Sequence, residues 1–305
     1  MVEFSRREDD LRIVDGDRIL GRYQADPEVP RDETPKPYWH PLCTFEGRVL
    51  TDLRPPDHLW HHGLQFGVPK VGETNLWGGN TFTRDAGYIL LDDHGRIGHA
   101  AWSREEPRQV SSLLRWEATD GSALLEEERR FVVADQRPRF AGWSLRWESR
   151  LRSVTDRAQL LQTPEQMGRP GGGYAGLFLR AAPGVHWHRW VMDPHDLDGA
   201  VEGAPAEQLL VLATVDGHQV TLLAADRSAT PVHWLVRDGE FSALCWSPLY
   251  RDARELQPGE EIVLRHELTI VDGWLDPQEA FEAWPGVGAS DDPGTWEPPA
   301  VPARG

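Results

Sequence analysis

Three long extended runs follow one another in the middle of the sequence, and only short turn signals separate them. They cover Ser111–Thr119, Ala123–Ala134 and Phe140–Val154. In the third run, apolar residues such as Trp143 and Trp147 alternate with polar or charged residues. This period of two is typical of a strand that buries one face. The centre of the chain is therefore predicted to be an antiparallel sheet with one buried side.

The same pattern of apolar runs and tight turns continues on both sides of this centre. Asp15-Gly16, Glu46-Gly47 and Asp216-Gly217 each stand between two runs and predict β-hairpins. A further hairpin is predicted between Tyr88–Leu91 and Ile97–Trp102. The sequence favours about eighteen strands in all, and no short fixed-period repeat indicates a propeller. We therefore predict an all-β fold, a large antiparallel β-sandwich of the supersandwich type.

One helix and a tail complete the predicted domain organisation. The helix is predicted over Pro277–Trp284, because Asp276 can cap its first turn and proline suits the first helical position. Composition shows no break before this helix, so residues 1–285 are predicted to form a single β-sandwich domain. Residues 286–305 are rich in Pro, Gly and Asp and are predicted to be a loose tail.

Charge and apolar patterning restrict the partners and the location of the chain. With 32 basic and 49 acidic residues, the net charge is −17. Such a surface repels phosphate backbones and anionic lipids, so neither nucleic acid nor a membrane is an expected partner. No apolar run reaches the roughly 18 residues of a membrane span, and the first residues lack the apolar core of a signal peptide. We expect a cytoplasmic protein in which Cys43 and Cys245 are buried, reduced thiols.

The candidate functional residues concentrate between Arg54 and Gly79. Asp57, His58, His61 and His62 fall within six residues of one another. A histidine beside a carboxylate makes a general acid/base pair near neutral pH. Two or three neutral imidazoles can instead ligate a metal, bind a polyol by hydrogen bonds, or satisfy buried carbonyls in a turn.

Within this stretch we assign roles that suit the residue types. His58 and His61 are the predicted acid/base groups, Asp57 is predicted to orient one imidazole, and His62 is predicted to contact substrate. No carboxylate or cysteine stands at ligand spacing beside His58 and His61, so we expect no tightly bound metal.

Other candidates lie farther along the chain. His99 begins a predicted strand and is predicted to join His58 and His61 in one cleft on a concave sheet. The predicted substrate-binding residues, in addition to His62, are Asn75, Trp77, Glu165 and Arg180. Arginine suits a carboxylate or a diol, and an aromatic ring suits a sugar face.

Motifs of several common enzyme classes are missing from the sequence. There is no phosphate-binding G-x-x-x-x-G-K-[ST] loop, no G-x-S-x-G elbow and no G-x-G-x-x-G turn that opens a βαβ unit. ATP, NAD and thiol chemistry therefore lose support, and no cofactor is predicted.

Several segments of the sequence resemble the PmoA-like family, a widespread set of bacterial proteins labelled methane oxygenase. The likeness covers roughly residues 10 to 280 and is carried by Lys36–Leu42, Pro56–Leu64, Asn75–Gly79, Gly98-His99 and Gly173–Arg180. Members of that family often stand near sugar oxidoreductases. The all-β length is also similar to that of galactose-mutarotase-like supersandwich proteins, whose enzymes use a histidine and a carboxylate on sugar rings.

Three functions are open at this point. The first is an enzyme that acts on a sugar or oxidised sugar as an epimerase, a lyase or a glycoside-cleaving enzyme, with a small-molecule carbohydrate as its ligand. The second is a metal-dependent enzyme with His58, His61 and His99 as ligands. The third is a non-catalytic sugar-binding module built from the same residues.

Overall fold

The computed structural model describes residues 1–7, 10–137, 139–192, 195–196, 203–229 and 232–284. The predicted tail, residues 286–305, lies outside the described residues. Within the described ranges, no helix is long and apolar enough to span a bilayer.

The described residues form 23 strands, one α-helix and one short 3₁₀ turn. The strands of the first half are β1 Val2–Arg7, β2 Asp10–Asp15, β3 Arg18–Gln24, β4 Tyr38–Leu42, β5 Leu64–Val71, β6 Thr74–Leu76, β7 Thr81–Thr83, β8 Gly87–Ile89, β9 Arg96–Glu106, β10 Gln109–Glu117, β11 Ala123–Asp135 and β12 Gly142–Ser153. Those of the second half are β13 Gln159–Gln162, β14 Gly176–Arg180, β15 Val185–Met192, β16 His195–Asp196, β17 Ala204–Pro205, β18 Gln208–Val215, β19 His218–Asp226, β20 His233–Arg237, β21 Ala243–Ser247, β22 Arg254–Leu256 and β23 Glu261–Asp272. The 3₁₀ turn covers Arg31–Glu33, and helix α1 covers Pro277–Ala283.

Two large antiparallel sheets account for most of these strands. The first has the order β1-β2-β3-β4-β5-β14-β21-β20-β17, with β6 and β13 attached to β5 and β22 attached to β13. The second has the order β16-β15-β18-β19-β23-β12-β11-β10-β9. The remaining two strands, β7 and β8, form a small hairpin. The predicted all-β, antiparallel fold is confirmed.

The two sheets pack face to face around an aromatic core. Trp39 of the first sheet meets Phe131 of the second with ring centroids 5.3 Å apart, and Phe66 meets Trp147 at 6.3 Å. All four side chains are 1% exposed or less. Aromatic side chains bury large areas, so these inter-sheet pairs contribute to the stability of the sandwich. On β12 the buried positions Trp143, Leu145, Trp147, Ser149 and Leu151 are those that the period of two predicts.

One ion pair is enclosed within this core. The Arg129 guanidinium donates to both carboxylate oxygens of Glu127, at 2.7 and 2.9 Å, and both side chains are fully buried. Trp116 Nε1 and Ser149 Oγ also donate to Glu127, at 2.7 and 2.6 Å. Arg129 lies 4.7 Å from the centroid of the Trp147 ring. The pair is therefore hydrogen-bonded well enough for both charges to remain in the interior.

The predicted hairpin between Tyr88–Leu91 and Ile97–Trp102 is wrong. Strand β8 pairs with β7, and β9 pairs with β10. The intervening residues pair with a distant strand: Asn75 N donates to Asp93 O at 2.8 Å, and Gly95 N donates to Asn75 O at 3.0 Å. These contacts are not local, so the turn residues alone could not indicate them.

Other local predictions are confirmed. Strands β10, β11 and β12 pair in sequence, as the three central runs predict. Helix α1 begins at Pro277, and the Asp276 side chain accepts a hydrogen bond from Glu279 N at 3.1 Å. Cys43 and Cys245 are both buried and free. Strand β1 was not predicted, because the segment Val2–Arg7 is short and rich in charged residues.

Candidate active site

The histidine-rich stretch forms a tight loop between β4 and β5. His58 N donates to Pro55 O at 2.9 Å, and His61 N donates to His58 O at 3.0 Å. These two turns bring the His58 and His61 rings into a parallel stack, with centroids 4.6 Å apart and planes 9° apart. Gly63 closes the loop at a φ of 57°, where a Cβ would clash with the Trp39 carbonyl. The prediction that His58 and His61 share one site is therefore supported by the loop geometry.

Asp57 connects this loop to strand β14. Its carboxylate lies 2.8 Å from His58 Nδ1 and accepts two hydrogen bonds from Arg180 Nη2, at 2.9 and 2.8 Å. Burial raises the pKa of Asp57, but the hydrogen bonds from His58 and Arg180 outweigh that effect and lower its pKa overall. Because the carboxylate keeps its charge, it favours the His58 tautomer with the proton on Nδ1.

His61 occupies the buried side of the stack. Only 4% of the residue is exposed, and Arg180 Nη1 lies 3.4 Å from its Nδ1. Burial lowers the pKa of His61 well below its usual value, and the positive charges of Arg180 and Lys36 add to the effect. Since a guanidinium can only donate, His61 Nδ1 accepts and Nε2 carries the proton of a neutral imidazole.

A cavity of about 470 Å³ opens beside this pair of histidines. This volume falls within the range of small-molecule sites in proteins. Six aromatic side chains and several polar groups form its walls. The lining residues are His58, Trp60, His61, Trp77, Gly78, Asn80, Tyr88, Arg169, Tyr174, Phe178, Leu235, Arg237, Asp238, Glu240 and Phe241.

Asn75 positions one of these walls from behind. Its Oδ1 accepts hydrogen bonds from Trp77 N and Gly78 N, at 2.9 and 2.8 Å. Gly79 follows at a φ of 69°, and a Cβ there would clash with the Trp60 indole. The structure therefore places Trp77 on the cavity wall, whereas Asn75 is buried beneath it and supports the turn. That Trp77 binds substrate stays a prediction.

Lys36 joins the two loops that carry the indole walls. Its three Nζ protons are shared among four backbone carbonyls: Trp77 O at 2.7 Å, Glu33 O at 3.1 Å, Trp60 O at 3.2 Å and Thr34 O at 3.3 Å. The side chain is completely buried. Burial lowers the pKa of Lys36 to about 7, although the Glu33 carboxylate opposes this shift. No local motif in the sequence indicated this residue.

His62 lies in a second, buried cluster behind the cavity. Its Nε2 is 3.3 Å from the Glu33 carboxylate, which also accepts two hydrogen bonds from Arg54 at 2.7 and 2.8 Å. Burial lowers the pKa of His62 to about 2, and the nearby charge of Lys36 contributes. The side chain is fully buried, so the predicted contact between His62 and substrate does not agree with its position.

His99 and Glu165 are not brought to the cavity wall. His99 lies on β9, at the edge of the second sheet, with Nδ1 2.8 Å from Ser112 Oγ and its ring 4.6 Å from that of Trp102. The prediction that His99 converges with His58 and His61 is wrong, because His99 does not line the cavity on which those two residues lie. Glu165 accepts a hydrogen bond from Gly172 N at 3.0 Å and so stabilises its own loop.

Arg180 was predicted to hold substrate, and the structure gives it a supporting position. It is 4% exposed and is held between Asp57 and the Phe241 ring, whose centroid lies 3.9 Å from its guanidinium carbon. Phe241 itself is one of several wall residues that sequence reasoning missed. The others include Trp60, Tyr88 and Tyr174, which were given no role from the sequence and meet only in the folded chain.

Metal binding was one of the open alternatives. Within the described ranges, no group of three or more His, Cys, Asp or Glu side chains is arranged to hold a metal ion. The expectation that no tightly bound metal is present stays a prediction.

Solved structures that match this chain share little sequence with it. An aldose epimerase homologue from C. elegans is 10% identical, with a TM-score of 0.38, over 90% of this chain and 99% of that chain. A galactose mutarotase-like protein from Clostridium acetobutylicum is 11% identical, with a TM-score of 0.36, over 86% and 92% of the two chains. A GH36 α-galactosidase from Geobacillus stearothermophilus is 12% identical, with a TM-score of 0.42, over 93% of this chain and 43% of that chain.

Sequence comparison gives the family. No curated protein matches this sequence significantly. A family model does match, over residues 10–285, and so covers the strands from β2 to β23 together with α1. This match does not show the resemblance to the PmoA-like family. The chain belongs to DUF6807, a family of unknown function.

Proposed function

We propose that this protein is an enzyme that carries out acid/base chemistry on a carbohydrate, with His58 as the group that transfers the proton. The observation that carries the proposal is the chain of contacts from Arg180 through Asp57 to His58, which ends on the wall of an aromatic cavity. A carboxylate that orients an imidazole toward a cavity is the arrangement expected of a general base.

His58 is better suited to proton transfer than His61. About a third of the His58 side chain is exposed, and Asp57 engages its Nδ1, so Nε2 is left with a lone pair for a substrate proton. His61 is buried and held neutral by its surroundings. Its protonated Nε2 suits hydrogen-bond donation to a substrate oxygen, a role different from the acid/base role predicted from the sequence.

The cavity walls favour a sugar ring as the ligand. Trp60 and Trp77 offer aromatic faces, which suit the apolar face of a pyranose, and Asn80 and the charged wall residues can bond hydroxyl groups. A cavity with both kinds of surface suits a polyol better than an apolar ligand. A sugar-binding module would hold a sugar in the same cavity without converting it. The following experiment distinguishes that alternative from an enzyme.

The test uses a panel of aldoses and hexuronates in D₂O, followed by NMR. This measurement detects anomer exchange, epimerisation, elimination and incorporation of deuterium at carbon. We expect turnover of at least one sugar, a loss of about 10²–10⁴-fold in His58→Gln, and a smaller loss in Asp57→Asn. His186→Gln, a change on the exposed side of β15, is the matched control and should keep full activity.

Two results would overturn the proposal. Full activity of His58→Gln toward a sugar that the parent protein converts would remove His58 from the chemistry. Binding of sugars by the parent protein without any turnover would identify a binding module. Melting temperatures of all variants show whether a lost activity reflects unfolding.

A further inference from the structure

Two arginines come together on the side of the cavity that holds Tyr88. The Arg169 guanidinium carbon lies 5.2 Å from the centroid of the Tyr88 ring. Arg237 Nη2 donates to Gly171 O at 2.8 Å, and Gly171 is only two residues from Arg169. The loop that carries Arg169 is thus bound to the end of β20, which carries Arg237. Both side chains line the cavity.

The surroundings of the Tyr88 hydroxyl also indicate that the charges of Arg169 and Arg237 lie near each other. It is hydrogen-bonded to the Tyr174 hydroxyl at 3.0 Å. Burial raises the pKa of Tyr88, whereas the Tyr174 hydrogen bond and the charges of Arg169 and Arg237 lower it. Both guanidinium groups therefore act on the same phenol, and their fields overlap in the adjacent part of the cavity.

Two carboxylates also line the cavity and must be weighed against these arginines. Asp238 and Glu240 lie on the turn between β20 and β21, and both residues are exposed. Arg169 and Arg237 are half-buried. Water screens exposed charges strongly, so the half-buried pair has the larger effect on a ligand inside the cavity.

From this geometry we infer that the cavity takes an anionic sugar, a hexuronate, whose carboxylate is bound by Arg169 and Arg237. Arginine binds carboxylates through a planar fork of N–H donors. One of the two phenols beside the pair can donate a further hydrogen bond, because the proton of the other lies between the two hydroxyl groups. Arg180 cannot supply this contact because Asp57 already occupies it. The inference rests on the proposed carbohydrate site and defines its substrate class.

The experiment compares hexuronates with the hexoses that match them except at the carboxylate: glucuronate with glucose, and galacturonate with galactose. Calorimetry should show at least one hexuronate binding tighter than its neutral partner, with an affinity that falls as salt is added. Arg169→Gln and Arg237→Gln should each weaken binding of that hexuronate about ten- to a hundredfold and weaken binding of the neutral sugar much less. Arg104→Gln, which removes an exposed charge on β9, is the control.

The inference fails if no hexuronate binds, if neutral sugars bind equally well, or if both arginine variants weaken the two classes alike. Its failure is distinguishable from failure of the proposed function. If neutral sugars are converted and the conversion depends on His58, the proposed enzyme stands and the proposed anionic subsite is rejected. If hexuronates bind through Arg169 but are never converted, the proposed subsite stands and the catalytic role of His58 is rejected.

Discussion

Replacing Lys36 by methionine is expected to lower the free energy of unfolding by about 3 kcal/mol and to loosen two walls of the cavity. Methionine keeps most of the volume of the side chain but has no proton to donate. The change therefore removes the contacts of one buried ammonium with the carbonyls of Glu33, Thr34, Trp60 and Trp77.

The magnitude follows from two opposing terms. A buried carbonyl that loses its donor costs about 1–3 kcal/mol, so four carbonyls cost about 4–12 kcal/mol if none finds a new partner. Methionine also removes the unfavourable burial of a charge. A pKa lowered from 10.5 to about 7 corresponds to about 5 kcal/mol at 1.36 kcal/mol for each pH unit. The midpoint of the difference is about 3 kcal/mol.

Denaturant unfolding at pH 6, where Lys36 carries its charge, measures this quantity. The chain contains only two lysines, so Lys70→Met is a matched control. Lys70 pairs with Glu73 at 3.0 Å on the surface, and Glu73 is almost fully exposed. Such a pair contributes about 0–1 kcal/mol, and the control should stay within that range.

A second measurement separates loss of stability from loss of the contacts by which Lys36 joins the loops of Trp60 and Trp77. Indole fluorescence and sugar affinity of Lys36→Met, measured well below its melting temperature, should both differ from the parent protein because Trp60 and Trp77 have lost their common donor. With two lysines, NMR of the side-chain carbons resolves both signals, and that of Lys36 should titrate near pH 7. An unfolding free energy within 0.5 kcal/mol of the parent, or above it, would refute the reasoning about the carbonyls.

Two further predictions concern buried charge. His62 has a folded pKa of about 2, so below about pH 6.5 the unfolded state binds more protons and stability falls as the pH falls, by up to about 1.4 kcal/mol per unit. In His62→Gln this acid slope, measured by urea unfolding between pH 6 and pH 4, should be smaller; an unchanged slope would contradict the prediction. Arg129→Met should cost about 3–5 kcal/mol because Glu127 loses its counter-charge, and adding Glu127→Leu should recover much of the loss. Equal midpoints for the single and the double variant would contradict that explanation.

Local rules were enough for much of the fold. Alternation identified β12, which buries one face against the other sheet, and the short turn signals separated it from β11 and β10. The capping pattern at Asp276 gave the start of the helix, because a cap needs only neighbouring residues. The same rules failed at Tyr88–Leu91, which pairs with β7 and not with Ile97–Trp102.

The candidate site likewise contains residues that the sequence indicated and residues that only the fold brings to it. Density of titratable groups identified Asp57, His58 and His61, since a loop of six residues must keep them close. Their partner Arg180 is 123 residues away from Asp57 and reaches it only because β14 pairs with β5. The sequence alone did not indicate which of the two imidazoles, His58 or His61, would be buried and which would be exposed.

The sequence by itself determined the strand periodicity, the positions of most turns and the loop that holds the histidines, because these depend on interactions between near neighbours. Tertiary structure decided the pairing of strands, the exclusion of His99 and the meeting of Tyr88 with Tyr174, which are 86 residues apart. It also made Lys36 a buried donor to both indole loops. Each of these outcomes depends on which sheet a strand joins, and that is fixed by burial of the shared core rather than by any local pattern.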